Sequence, residues 1–346
     1  MSRAQRSDQQ NLLKPILSPI VPLFLLLLFS STVLVSPILA VLLTLTTTMA
    51  SAETITTKIP WKGAYAHNSS NTWSQNNPYN SGFSKNFRNG APEELGMVQK
   101  DGELNAEIIT PNGSSRQIPF MIVMHGCTGL DNATDVWVHH VAQVLNAEGI
   151  GVLVLNSFAT RFVRKTCGMP DFHWGRRRAD DAYSALDYLI ERKLAKPDEV
   201  YLMGQSNGGL ATLIAMLKEE SDHKNKFAAG FPIVPSCINT PVKDGNYVRP
   251  MVLFVGEKDD ANPSEHCVKM LKKKREIPIQ LIQYREANHG FMFEYLYPLI
   301  VKGWVDPHGK EHYWHLSGNH AADDDMMKTI LSAIKTKAFA KGIENR

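Results

Sequence analysis

Between about residues 102 and 341, apolar positions gather in short unbroken runs separated by stretches of helical spacing. The runs at 119–124 (PFMIVM) and 151–155 (GVLVL) hold no polar residue, which marks strands buried on both faces. Further strands are predicted at 104–110, 199–203, 227–234, 250–255 and 277–283. The first of these alternates and is turned by Pro111-Asn112-Gly113. Helices are predicted at 135–148, 180–192, 208–218, 265–275 and 322–341. In the second of these, Ala182, Leu186 and Leu189 recur at helical intervals. Strands alternating with amphipathic helices predict an α/β fold: a mostly parallel, twisted sheet of about eight strands, with helices on both faces. No repeat or linker divides this region, so residues 101–346 read as one domain.

The preceding residues differ in kind. From 53 to 100 the chain is rich in Asn, Ser, Tyr, Trp and Gly, as in AYAHNSSNTWSQNNPYNSGFSKNF, and reads as an irregular arm with a short strand at 53–59. Before it, Arg3, Arg6 and Lys14 lead into a charge-free apolar stretch at 15–45, followed by Ala50-Ser51-Ala52. A basic flank, an apolar run and a small-residue exit predict a secretory signal over 1–52, with the mature chain starting near Glu53. The stretch is long and contains four prolines, so an uncleaved membrane anchor is the alternative. Either way the rest of the chain lies outside the cytoplasm, periplasmic or secreted, and touches a membrane only through this segment.

Composition narrows the partners. The 346 residues carry a net charge of only +3, without a basic stripe, so nucleic acid is not expected. The densest run, KMLKKKR at 269–275, reads as a solvated helix face. Four cysteines, Cys127, Cys167, Cys237 and Cys267, all follow the export segment and can form two disulfides in an oxidising compartment.

Candidate chemistry sits at the ends of predicted strands. Gly204-Gln205-Ser206-Asn207-Gly208 fits a G-x-S-x-G nucleophile elbow, in which small neighbours let a strand turn sharply into a helix around an exposed serine. The pattern alone is weak, but a strand precedes it and a helix follows. His125-Gly126-Cys127-Thr128-Gly129 follows PFMIVM as a glycine-bearing loop. The oxyanion of ester cleavage needs N–H donors, each worth about 3–4 kcal/mol. The backbone N–H groups of Cys127 and Asn207 are the candidates, with His125 an anchor for its loop. After the strand at 250–255, Gly256-Glu257-Lys258-Asp259-Asp260 offers an acid to orient an imidazole. Asp259 has the usual spacing, and Asp260 is the alternative. His289, in Asn288-His289-Gly290-Phe291 beyond the strand at 277–283, is the candidate base. The chain order Ser206, Asp259, His289 is that of α/β-hydrolases.

The segments MIVMHGCTGLD, RRADDAYSALDYL, MGQSNGG, FVGEKDDANPSEHC and NHGF resemble the dienelactone hydrolase branch of the α/β-hydrolase superfamily, over about residues 100–340. The resemblance implies a compact hydrolase without a large lid domain, acting on small esters or lactones and needing neither metal nor other cofactor. Dienelactone hydrolase carries cysteine in the elbow where this chain has Ser206, which shifts the expectation from lactones to carboxylic esters. The family pattern has no counterpart of the N-terminal arm.

Other residues carry quieter readings. Cys127 lies in the donor loop rather than on the elbow, so it reads as a disulfide partner or a small packing residue rather than a nucleophile. Cys127 and Cys167 follow neighbouring strands, and Cys237 and Cys267 do likewise, which predicts pairs 127–167 and 237–267. Arg161, Arg164 and Lys165, beyond a strand end, read as partners of local carboxylates or carbonyls, with a preference for anionic substrates as the alternative. His312, His315 and His320 lack metal-site spacing. Trp73, Trp137, Trp174, Trp304 and Trp314 read as packing aromatics. The resulting expectation is an exported serine hydrolase working through an acyl-serine. The alternatives are another acyl hydrolase on the same triad (polyester, feruloyl ester or peptide) and a noncatalytic cell-envelope binding protein that keeps the fold. The oligomeric state is not legible.

Overall fold

Along β3 (Ile118–Met124) the side chains alternate between two apolar clusters. Phe120, Ile122 and Met124 enter one with Leu186, Leu202, Leu210 and Leu253. Met121 and Val123 enter the other with Val141, Met203, Phe254 and Ile330. A strand has a side-chain period of two, so a segment buried on both faces can spare no polar position, which is why PFMIVM reads as it does.

In the computed structural model, which describes residues 52–61, 102–114, 117–161, 163–167, 171–218, 222–238, 242–273, 275–305 and 308–346, nine strands form the main sheet. Their order is β1 (Ala52–Trp61), β2 (Gly102–Pro111), β4 (Gly151–Asn156), β3, β5 (Ala195–Gln205), β6 (Gly230–Ile233), β7 (Met251–Gly256), β8 (Ile279–Tyr284) and β11 (Gly342–Asn345). The β1–β2 and β2–β4 pairs are antiparallel, and from β4 onward neighbours run parallel. Helices α1 (Asn132–Asn146) and α5 (His320–Thr336) pack into one cluster. Helices α2 (Asp171–Glu191), α3 (Asn207–Ala215) and α4 (Glu265–Leu271) pack into the other. Two helices start on side-chain caps, Asp131 accepting from Thr134 N at 2.9 Å and Asn319 from Ala322 N at 3.1 Å. A separate antiparallel ribbon, β9 (Leu299–Val305) and β10 (Glu311–Leu316), lies between β8 and α5 in the chain.

The expected α/β architecture is the observed one, with nine strands rather than about eight. The arm expected from 53 begins as β1, an edge strand in register with all of β2, because Ile59 is buried and the strand pairs along its whole length. Residues 62–100 lie outside the described residues, as does the expected signal or anchor over 1–52 except Ala52, which opens β1. Helix α2 starts nine residues before the expected 180, and α5 ends at Thr336, where Lys337 turns left-handed (φ 52°) and leads toward β11. Among the described residues no helix is long and apolar enough to cross a membrane.

Candidate active site

Strand β5 ends at Gln205 and α3 begins at Asn207, so the whole reversal falls on Ser206. Its backbone sits at φ 53°, ψ −114°, a region that costs a side-chain-bearing residue about 1–3 kcal/mol. A Cβ on Gly204 would fall 2.2 Å from the Gly208 carbonyl oxygen, so only glycine lets the turn close this tightly. Helix α3 is buried along its entire length, and Ser206 N donates to Ile233 O at 2.8 Å, which holds the strained residue in place.

His289 Nε2 lies 2.8 Å from Ser206 Oγ, and His289 Nδ1 lies 2.8 Å from Asp259 Oδ2. Asp259 is 4% exposed, and its Oδ1 accepts from Ala261 N (2.9 Å) and Asn262 N (2.8 Å). The carboxylate is thus held as an acceptor, the imidazole donates from Nδ1, and Nε2 is left to accept the serine proton. The loops bearing acid and base are joined by backbone bonds, Glu257 N to Tyr284 O (3.0 Å) and Lys258 N to Ala287 O (2.9 Å). Asp260 points elsewhere: it is exposed and accepts from His315 Nδ1 at 2.6 Å and His315 N at 3.1 Å. Of the two acids left open by the sequence, Asp259 is therefore the one that meets His289.

The donor loop rests on a buried polar network. Fully buried His125 accepts from Ser157 N at Nε2 (3.3 Å), and its Nδ1 lies 2.7 Å from Gly126 O, which fixes the neutral Nδ1–H tautomer. Burial holds its pKa well below the ordinary histidine value, and Arg178 lowers it further. The Arg178 guanidinium, also fully buried, donates to Asn207 Oδ1 at 2.8 Å and to the His125 carbonyl, so one side chain spans the elbow and the donor loop. Behind it, Arg161 grips Asp181 through two 2.7 Å bonds and donates to Ser157 O at 2.8 Å. Cys127 is bonded to Cys167, and Thr166 N donates to Cys127 O at 2.7 Å, which ties the donor loop to residues 166–167. Cys237 is bonded to Cys267, so both expected pairs form.

Sequence reasoning missed Arg178 and Asp181. The signal was present, because Arg178, Ala182, Ala185 and Leu189 share one helical stripe, and a charge on a core stripe needs buried partners. Arg161 is paired with Asp181, as the quieter reading had it, while Arg164 and Lys165 are exposed. His315 and His320 go to Asp260 and Glu294. Trp137 is buried, as a packing aromatic should be, but Trp314 is half-buried with its ring 6.4 Å from that of His289. A cavity of about 150 Å³ lies between α1 and residues 292–296, walled by Val136, Trp137, Met292, Phe293 and Leu296; Ser206 and His289 are not among its walls.

Residues 137–240 match the model of the prolyl oligopeptidase family, Peptidase_S9. No curated protein matches the chain. Among solved structures, a putative dienelactone hydrolase from Klebsiella pneumoniae subsp. pneumoniae is similar with a TM-score of 0.52 and 14% identity, over 68% of this chain and 93% of that one. A puromycin-hydrolyzing peptidase from Mycobacterium tuberculosis has a TM-score of 0.49 and 15% identity, over 71% of this chain and 39% of that one. Est1E from Butyrivibrio proteoclasticus, solved with ferulic acid, has a TM-score of 0.41 and 21% identity, over 54% and 87%. The likeness to the Klebsiella structure shows the fold, an α/β-hydrolase fold.

Proposed function

We propose that the chain is an exported serine hydrolase that cleaves carboxylic esters through an acyl-serine intermediate. The observation that carries this reading is the unbroken relay from Ser206 Oγ through His289 to Asp259, both links 2.8 Å, on a strained elbow. His289 takes the serine proton as Oγ attacks the carbonyl carbon. Negative charge then gathers on the carbonyl oxygen, and the N–H groups of Asn207 and Cys127 receive it. Asn207 is the first residue of α3, so its N–H has no acceptor within the helix. His289 next gives its proton to the leaving alcohol, an acyl-serine remains, and water activated by the same imidazole releases the acid. Asp259 holds the ring and stabilises the imidazolium. None of these steps calls on a cofactor.

Export rests on the N-terminal charge and apolar pattern, and the two disulfides suit an oxidising compartment. Peptide cleavage is the second reading, since residues 137–240 match a peptidase family model and an amide can use the same relay. A fluorophosphonate probe, with parallel ester and peptide panels, tests the proposal on the chain from Glu53 onward. Labelling at Ser206 and ester turnover are expected, with Ser206→Ala losing about 10⁴- to 10⁶-fold in kcat. A folded protein that takes no label would favour a binding role. Peptide turnover without ester turnover would select the second reading.

A further inference from the structure

The β9–β10 ribbon is fastened to both loops of the relay. Asp260, next to Asp259, holds His315 through its Nδ1 at 2.6 Å and its N at 3.1 Å. Asn288, next to His289, exchanges two bonds with Ser317: its Nδ2 donates to Ser317 Oγ (2.7 Å), and its Oδ1 accepts from Ser317 N (2.9 Å). Trp314 directly precedes the first of these tethers. Exposure alternates along β10, with Trp314 on the less exposed face. A Cβ on Gly303 would lie 2.5 Å from the indole, so this glycine lets the ring lie flat on the ribbon. The indole packs against Gly303, and His289 lies beside it, with ring centroids 6.4 Å apart and planes tilted by 41°.

Proton transfer decides which part of a substrate comes nearest that ring. His289 must pass its proton to the leaving-group oxygen, so this oxygen has to come within about 3 Å of Nε2. Groups attached to it, on the alcohol side of the ester, are therefore those nearest a ring beside the imidazole. We propose that Trp314 is the alcohol-side wall of the site and that it selects esters whose alcohol carries an aromatic ring, of the benzyl type. This rests on the serine esterase reading. An indole face prefers an aromatic ring to an aliphatic one of equal size, because offset and edge-on ring pairs add to the burial of apolar area. Its position is rigid because the ribbon is tied to the residues adjoining both acid and base, so the wall moves with the relay.

The test compares benzyl acetate with cyclohexylmethyl acetate on the wild type, Trp314→Phe and Trp314→Leu. Ratios of kcat/KM are compared between proteins, so intrinsic leaving-group reactivity cancels. The wild-type ratio is expected to exceed that of Trp314→Leu by roughly fivefold to tenfold, with Trp314→Phe between. The ratio of benzyl acetate to benzyl butyrate, which reads the acyl side, should not move. An unchanged benzyl preference in Trp314→Leu, or an equal loss on both alcohols, overturns the proposal, and thermal melting shows whether the variant has folded. Failure of the esterase reading looks different: no ester turns over and Ser206 takes no fluorophosphonate. In that case broadening of benzyl alcohol resonances by the wild type and not by Trp314→Leu would still support the wall, and equal broadening would overturn it.

Discussion

Replacing Arg178 with methionine removes a buried guanidinium while roughly keeping the side-chain length. Two acceptors lose their donor, Asn207 Oδ1 at 2.8 Å and the His125 carbonyl. Hydrogen bonds to a charged group contribute about 1.5–3 kcal/mol each. Against this stands the cost of holding a cation in the interior, visible in the direction of its pKa, which burial lowers and Asp181 only partly restores. Asp181 keeps its two bonds to Arg161, so no carboxylate is orphaned. The net cost of Arg178→Met should therefore be about 2–3 kcal/mol. Arg161→Met strands Asp181 and should cost more, about 3–5 kcal/mol. Turnover should discriminate further. Arg178 braces both loops assigned to hold the oxyanion, and a single misplaced donor costs about 10²–10³ in kcat. A loss of about 30- to 300-fold in kcat is expected, with KM nearly constant, because the oxyanion forms only in the transition state. Arg178→Lys should recover little, since an ammonium lacks the planar fork that reaches two acceptors. Urea denaturation and steady-state kinetics, normalised to fluorophosphonate-titrated Ser206, supply both numbers. Wild-type kcat per titrated site in a merely destabilised Arg178→Met would refute the bracing argument.

The Cys127–Cys167 bond is partly exposed whereas Cys237 and Cys267 are buried, so mild dithiothreitol should open the first bond before the second. Esterase turnover should fall in step with release of thiols at 127 and 167 while the fold persists, as mass mapping and circular dichroism would report; full turnover with those thiols free would contradict the placement of Cys127 in the donor loop. Asp323 is buried, and burial first, then Glu294 and Asp324, pushes its pKa up to about 7, with the His140 imidazole facing it, Nε2 3.6 Å away. An unfolded aspartate titrates near ~3.9, so this residue costs nothing below about pH 4, erodes stability as pH rises to about 7, and holds a constant penalty above. Asp323→Asn should match the wild type at pH 4 and exceed it at pH 8 by at most about 4 kcal/mol in urea titrations, and a pH-independent gap would refute the assignment.

Much of the fold was legible because burial on both faces leaves a spelling that few other structures share. The runs at β3, β4 and β7 hold no polar residue, and the structure buries them in the sheet. Elements lacking that constraint escaped. All four residues of β11 are exposed, and only their pairing with Gln280, Leu281, Ile282 and Gln283 makes them a strand. The ribbon escaped for a related reason. Its second strand, EHYWHL, mixes polar and aromatic residues without an apolar stripe, and its partner contains Gly303, which reads as a break until Trp314 is seen lying on it. Pairing between distant segments is not written in either segment alone.

The relay was legible for a different reason: its chemistry constrains neighbours in sequence. An elbow needs glycine two residues before and after the serine, and an acid and a base at strand ends must sit in short loops. The support beneath it obeys no such local rule. Arg161, Arg178 and Asp181 come from a turn and a helix, and they meet only because the helix phase of α2 turns 178 and 181 inward. Arg178 places a buried guanidinium directly behind the elbow and the donor loop. Inside a low-dielectric interior that charge is screened little, and under the proposed mechanism it would act in the same sense as the Asn207 and Cys127 N–H groups toward the oxyanion. A buried cation that burdens the resting fold is thereby offset at the step where negative charge appears, so loss of Arg178 should weigh on turnover about as heavily as on stability.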